Sequence, residues 1–245
     1  MLSIIGAVAA AAFVSTAGAV KHDRASNASE TDASPQFDVS ALLTAARGAP
    51  PAICSLASRA VRSGNWGRSS DAPVTPRGPS ADRDELNGTR ALPAADVTRL
   101  LDALASDDPC VREISVRLIG TQDDSSVAPE LVARLTRSNA PLRAIAAFGL
   151  GLVDAKTAVV QLIHALSDAA ADVRANSAWA LGRIEDGRAL SPLVSLFRDA
   201  SPVTREAAVI AVGRMDSTSS SAALIRTLQH DEVASVRRAA AWALG

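Results

Sequence analysis

Five arginines set the rhythm of this chain and offer the first candidate chemistry. Arg112, Arg143, Arg174 and Arg205 stand 31 residues apart, and Arg237 follows after 32. Such a row could hold phosphates or carboxylates, or it could fork onto the chain's own turns. Asp168, Asp199 and Asp231 each stand six residues before one of the last three arginines. Buried arginine is usually paired, so the ladder is read as structural, with carboxylates of the same or the preceding unit as partners. The three histidines, His22, His164 and His230, have no metal-ligand spacing with one another. HExxH, GxSxG and a phosphate-binding loop are all absent. No catalytic residue, metal site or cofactor is therefore assigned. Cys54 and Cys110, the only cysteines, could pair in an oxidising compartment and tie two parts of the chain together. Otherwise they are two small buried hydrophobes.

The elements that would position these residues follow from other markers in the same phase. Eight residues after each arginine stands a glycine: Gly120, Gly151, Gly182, Gly213 and Gly245. Three residues after the first four glycines stands an acid: Asp123, Asp154, Glu185 and Asp216. Apolar pairs follow as Leu131/Leu135, Leu162/Leu166, Leu193/Phe197 and Leu224/Leu228. A fixed period of this length means stacked supersecondary units. Apolar positions at −1, +3, +6 and +7 from each arginine have helical spacing, as in Val173, Ser177, Ala180 and Leu181. Asp108-Pro109 and Ser201-Pro202 supply helix-start chemistry. The glycine is expected to end the helix in the left-handed conformation, and the acid to cap a second, shorter helix. Neither helix can bury its apolar face alone, so the units stack. The expected fold is all-α: an α-solenoid of stacked helix pairs.

The run Val-Arg-x-x-Ala-Ala-x-Ala-Leu-Gly at this period resembles the short HEAT repeats of the phycobilin-lyase type over roughly residues 94–245. The resemblance implies architecture more than activity, since its members include scaffolds, chromophore lyases and an iron hydroxylase. The hydroxylase members carry His-Glu pairs just after the repeat arginine. Here those places hold Arg112-Glu113, Arg143-Ala144, Arg174-Ala175, Arg205-Glu206 and Arg237-Arg238, so a di-iron site of that kind is not expected.

Residues 1–19 have the shape of a signal peptide, with an apolar stretch before Ala17-Gly18-Ala19 but no basic start. Residues 20–36 read as a disordered tether, 37–63 as a helical hairpin broken at Gly48 to Pro51, and 64–93 as a linker. So long a connection argues against tight packing of the hairpin on the repeats. The solenoid is expected over 94–245, its last repeat incomplete. These features place the protein outside the cytoplasm, periplasmic or secreted, and tethered to a membrane only if the leader stays on. After cleavage no stable membrane span is expected.

Hydrophobic residues make up 48% of the chain but aromatic ones only 3%, so the core must be alanine, leucine and valine. A net charge of −1 and a pI near 6.3 argue against nucleic acid as partner. Against that aromatic-poor background one row stands out. On a helical wheel, position +5 lies opposite the core, and it reads Arg117, Phe148, Trp179, Ile210 and Trp242. Stacking should align these into a ridge, flanked by Glu113, Asn176, Glu206 and Arg238; in HEAT-like repeats, as the resemblance implies, that face lines the concave surface. Contiguous exposed apolar surface marks a partner site, unless the rings lie flat and only extend the core. The expected function is a non-enzymatic, exported scaffold that binds another protein through this face. The alternatives are a lyase- or hydroxylase-type subunit, or a piece of a larger exported or membrane protein.

Overall fold

The computed structural model describes residues 38–60, 92–122, 125–215 and 218–245. The expected leader, tether and most of the linker, together with His22, Asp123 and Asp216, lie outside them. The described residues form twelve α-helices and no strand. A hairpin comes first, α1 (Val39–Ala46) and α2 (Pro51–Ala60). A lone second-type helix follows, α3 (Ala94–Ala103). The repeats then alternate long first helices, α4 (Pro109–Gly120), α6 (Ala140–Leu152), α8 (Ala171–Ile184), α10 (Pro202–Arg214) and α12 (Ala234–Ala243), with second helices. The second helices are α5 (Ala128–Leu135), α7 (Val159–Ala165), α9 (Leu190–Ser195) and α11 (Ser221–His230), each entered through a single 3-10 turn. The protein is an all-α solenoid.

The helices form two layers with one core between them. Leu100, Leu131, Leu162 and Leu193 of the second helices are fully buried, as are Ile119, Leu150 and Leu181 of the first. Consecutive first helices pack on one another more closely than consecutive second helices do, and the repeat glycines explain this. A Cβ on Gly182 would lie 2.5 Å from the Cα of Ala211, and one on Gly151 would lie 2.7 Å from the Cα of Ala180. Glycine therefore buys close helix approach here, not termination. Gly120, Gly151, Gly182 and Gly213 stay helical, and the left-handed residues after them are instead the acids Asp154 (φ 48°) and Glu185 (φ 56°). Glu185 is the C-cap of α8, so the expected second-helix cap is in fact a first-helix stop. The 3-10 turn ahead of α9 is capped by the next residue, Asp186, which accepts from the Arg188 N–H at 2.9 Å.

Helix starts vary. Asp108 accepts from the N–H groups of Cys110 and Val111, and Asn139 from that of Leu142. Ser201 stands at the N-cap of α10 but makes no side-chain capping bond, and α8 and α12 likewise lack one. There the turn is held by the aspartate two residues before the N-cap or at an equivalent step: Asp168, Asp199 and Asp231 accept from the N–H of Ala170, Ser201 and Val233 at 2.8, 2.8 and 2.9 Å.

These same aspartates receive the arginine ladder, and they reverse its expected direction. Arg143 Nε and Nη2 fork onto Asp168 at 2.7 and 2.8 Å, and Arg174 onto Asp199 at 2.8 and 2.8 Å. Arg205 does the same to Asp231 at 2.8 and 3.1 Å. Each carboxylate belongs to the following repeat, not to the same or preceding one. The reason is that Nη1 is already committed to the arginine's own turn: Arg174 donates to the carbonyls of Asp168 and Ala169, and Arg205 to those of Asp199 and Ala200. The guanidinium therefore has its remaining edge facing forward. Arg112 and Arg237 make only the carbonyl bonds, with no carboxylate fork among the described residues.

The hairpin is docked, contrary to the expectation from the long connection. Val39, Leu42, Leu43 and Ala46 are buried in the same core as the repeats. Two links hold it against the start of α4. Cys54 and Cys110 form a disulfide, Cα to Cα 5.5 Å. Asp108, besides capping α4, accepts from the Gly48 N–H at 2.7 Å, where Gly48 turns the hairpin at φ +66°. A covalent tie makes the length of the intervening segment irrelevant to docking.

Candidate functional site

Position +5 of successive first helices is set by the 31-residue register, and the glycines bring these positions together. The Cβ site of Gly151 lies 2.7 Å from the Trp179 ring, and that of Gly213 lies 3.0 Å from the Trp242 ring. Each tryptophan thus fills the space left by the glycine of the preceding helix. Phe148 and Trp179 have centroids 4.5 Å apart with planes tilted by 38°, a separation at which aromatic pairs attract. Ile210 continues the row, half-buried, and Trp242 ends it with 42% of its surface exposed. Phe148 and Trp179 are half-buried against the core. The rings lean on their neighbours and still present an edge.

Arg117 departs from the expected surface row. It is only 4% exposed. Its guanidinium lies 4.5 Å from the Phe148 centroid, and it pairs with Glu113 one turn earlier at 2.7 Å. Burial pushes its pKa down to about 10, against the pull of Glu113. It folds back on its own helix and props the ridge from beneath. The expected rim is engaged too. Asn176 donates to the Ala144 carbonyl at 2.8 Å, and Glu206 accepts from the Ser235 hydroxyl at 2.7 Å. Arg238 is exposed.

A second row, at +9, carries Arg183 and Arg214 one turn beyond Trp179 and Ile210. The sequence held the signal, since these two also stand 31 residues apart, but only the structure shows Arg183 over the Trp179 ring at 5.3 Å. His164 and His230 are exposed at separate places on the second helices. His230 ends α11 and lines an open groove of about 510 Å³ with Arg198 and Arg226. Among the described residues no group of three or more His, Cys, Asp or Glu could hold a metal ion. No helix among them is long and apolar enough to cross a membrane.

The family profile of HEAT repeats matches residues 128–202 and 159–245. Residues 128–245 are HEAT repeats. Among solved structures, the chain is similar to the complex of CpcE and CpcF of phycocyanin lyase from Nostoc sp. PCC7120. Identity is 24%, covering 64% of this chain and 67% of that one, with a TM-score of 0.51. It also aligns with an engineered protein at 20% identity, over 84% of this chain and 90% of that one, TM-score 0.45. A designed armadillo repeat protein aligns at 20% identity, over 84% and 93%, TM-score 0.44. Comparison with curated proteins returns no match. The similarity to the lyase subunits is one of fold. The HEAT-like protein shares with them a stack of helix pairs, and its site must be judged on its own residues.

Proposed function

We propose that this HEAT-like protein is a non-enzymatic scaffold that holds another protein against the ridge of its first helices. The carrying observation is the tilted Phe148–Trp179 pair, continued by Ile210 to an exposed Trp242. Aromatic side chains dominate interface energies, and three of the four aromatic residues among the described ones, Phe148, Trp179 and Trp242, lie in this row. A lyase-type role would need groups converging on a substrate, whereas the carboxylates beside the ridge, Glu113 and Glu206, are engaged by Arg117 and Ser235.

The scaffold is proposed to work outside the cytoplasm. The Cys54–Cys110 disulfide supports this, because such bonds persist in oxidising compartments. Fusing a reporter enzyme active only after export would check it; a reporter active only inside the cell would refute it.

Site-specific photo-crosslinking tests the ridge. A benzophenone side chain placed at Ile210 or Trp242 in the expressing cell should trap one discrete protein. The same side chain at Val160, on the second-helix layer and exposed, should not. Equal yields from both layers would overturn the reading.

A further inference from the structure

Arg183 and Arg214 are the part of this face that the repeat architecture leaves unexplained. They lie on the adjoining helices α8 and α10, each four residues after a ridge residue, and so on the ridge side of its helix. Arg183 is largely enclosed: its Nε donates to the Gly151 carbonyl at 3.0 Å and its guanidinium covers the Trp179 ring. Arg214 is half-buried, and its Nε is fully enclosed with no hydrogen-bond partner. Burial, and then the nearby charge of Arg214, hold Arg183 below the usual guanidinium range, against the opposing pull of Asp154 and Glu185. Neither arginine forms an ion pair among the described residues, whereas the ladder arginines Arg143, Arg174 and Arg205 all do. Glu206, one turn before Ile210, is held by Ser235. Both side chains keep part of their surface in solvent, so two neighbouring cations without an ion pair make a place for a carboxylate: forked guanidinium donors match its geometry, and a low-dielectric wall strengthens the bond.

We propose that the ridge takes an acidic segment of its partner, whose Asp or Glu carboxylate lies between Arg183 and Arg214 while a neighbouring apolar side chain packs on Trp179 and Ile210. This rests on the ridge reading and adds the partner's chemistry. A peptide segment suits the site because the cations are continuous with an apolar row, and each alone would give half of an amphipathic contact.

The test is a selection of random displayed peptides on the full chain, run in parallel on Arg183→Gln/Arg214→Gln and on Trp179→Ala, with thermal midpoints confirming that each variant is folded. Selected peptides should carry an acid beside apolar residues. A synthetic selected peptide should bind the double variant at least about tenfold more weakly, the scale of a lost charge-assisted pair. Changing the peptide's own acid to its amide should cost as much on the unaltered protein, which removes any doubt from a poorly folded variant. Neutral or basic peptides that still need Trp179 would overturn the acidic segment and leave the ridge standing. Peptides indifferent to Trp179 would overturn the ridge and the proposal with it. Displacement of the peptide by free acetate at equal concentration would replace the docking segment with a small-anion site and overturn the proposal.

Discussion

Arg174 binds Asp199 of the next repeat through two bonds of 2.8 Å while its third nitrogen caps the turn of its own repeat. One side chain therefore fastens three things: its own turn, the next turn, and the spacing between them. The pair is mostly enclosed, with Arg174 16% and Asp199 9% exposed. Removing the arginine leaves an uncompensated carboxylate. Arg174→Ala should lower unfolding free energy by about 2–4 kcal/mol, somewhat under the range for a fully buried pair. Arg112→Ala should cost less, about 1 kcal/mol, because it loses only carbonyl bonds. Urea denaturation of both variants checks the order.

The same pairs fix the acid limit of the fold. Asp168 and Asp199 are held below the usual value of 3.8 first by the arginine bonds, with help from turn N–H groups. At Asp231 burial acts most strongly and upward, but Arg205 and the Val233 N–H together outweigh it. A carboxyl whose folded pKa lies below its unfolded one contributes stability above the unfolded value and loses it as pH falls through the folded value. Stability should hold through neutral and mildly acidic solution and drop below about pH 4. In Asp199→Asn that drop should be shallower, from a lower starting stability. Urea midpoints across pH measure both.

The glycines offer a contrast between two sites. Gly182 faces the Ala211 backbone with no room for a Cβ, whereas a Cβ on Gly187 meets nothing within 4 Å. Gly182→Ala gains helix propensity of about 1 kcal/mol, but overpacking between backbones costs more because neither helix can yield alone. A net loss of about 1–2 kcal/mol is expected. Gly187→Ala should stay within about 0.5 kcal/mol. Thermal midpoints separate them.

The repeat period carried the helix order, the two layers and the buried leucines, because stacking translates each position identically. It could not carry the direction of the ladder. Asp168, Asp199 and Asp231 stand 6, 6 and 6 residues before one ladder arginine and 25, 25 and 26 after another, so the regularity of the spacing does not point to the partner that is used. Only the commitment of Nη1 to its own turn decides between them. The glycines were legible as a marker but not as a mechanism: termination and close approach both call for glycine at that step, and the left-handed Glu185 shows which applies. The ridge was legible as a row of residue types. That Arg117 would fold beneath it, and that Arg183 and Arg214 would flank it without ion pairs, depended on contacts between helices that no single helical wheel contains.

The disulfide has a stability effect that should be local. Cys54–Cys110 closes a separation of 56 residues and holds only the hairpin. Reduction, or Cys54→Ser, should release α1 and α2 while the repeats stay folded. Hydrogen exchange should rise at Leu42 and Leu43 and remain slow at Leu162 and Leu181. The loss should be about 2–4 kcal/mol for hairpin docking, the usual range for such a crosslink. Exchange rising equally in α8 would show that hairpin and repeats unfold as one unit.

The gap in the ladder can be filled, and doing so tests the account of it. The position equivalent to Asp168 and Asp199, six residues before the next ladder arginine, is Arg137, which is exposed and stands 25 residues after Arg112, as Asp168 does after Arg143. Like charges therefore occupy a step where the later repeats have a fork. Arg112 is already oriented, since its Nη1 donates to the carbonyls of Ser106 and Asp107 at 2.7 and 3.0 Å, as in the complete steps. The carbonyl of Arg137 accepts from Arg143 through the backbone, so a new side chain does not disturb that bond. Arg137→Asp should complete the fork and supply a turn acceptor for the N–H of Asn139. A gain of about 1 kcal/mol is expected, at the upper end for a partly exposed pair. The gain should vanish in Arg112→Ala/Arg137→Asp, as a double-mutant cycle on urea midpoints would show. A stabilisation that survives loss of Arg112 would mean that surface charge, not the fork, is responsible.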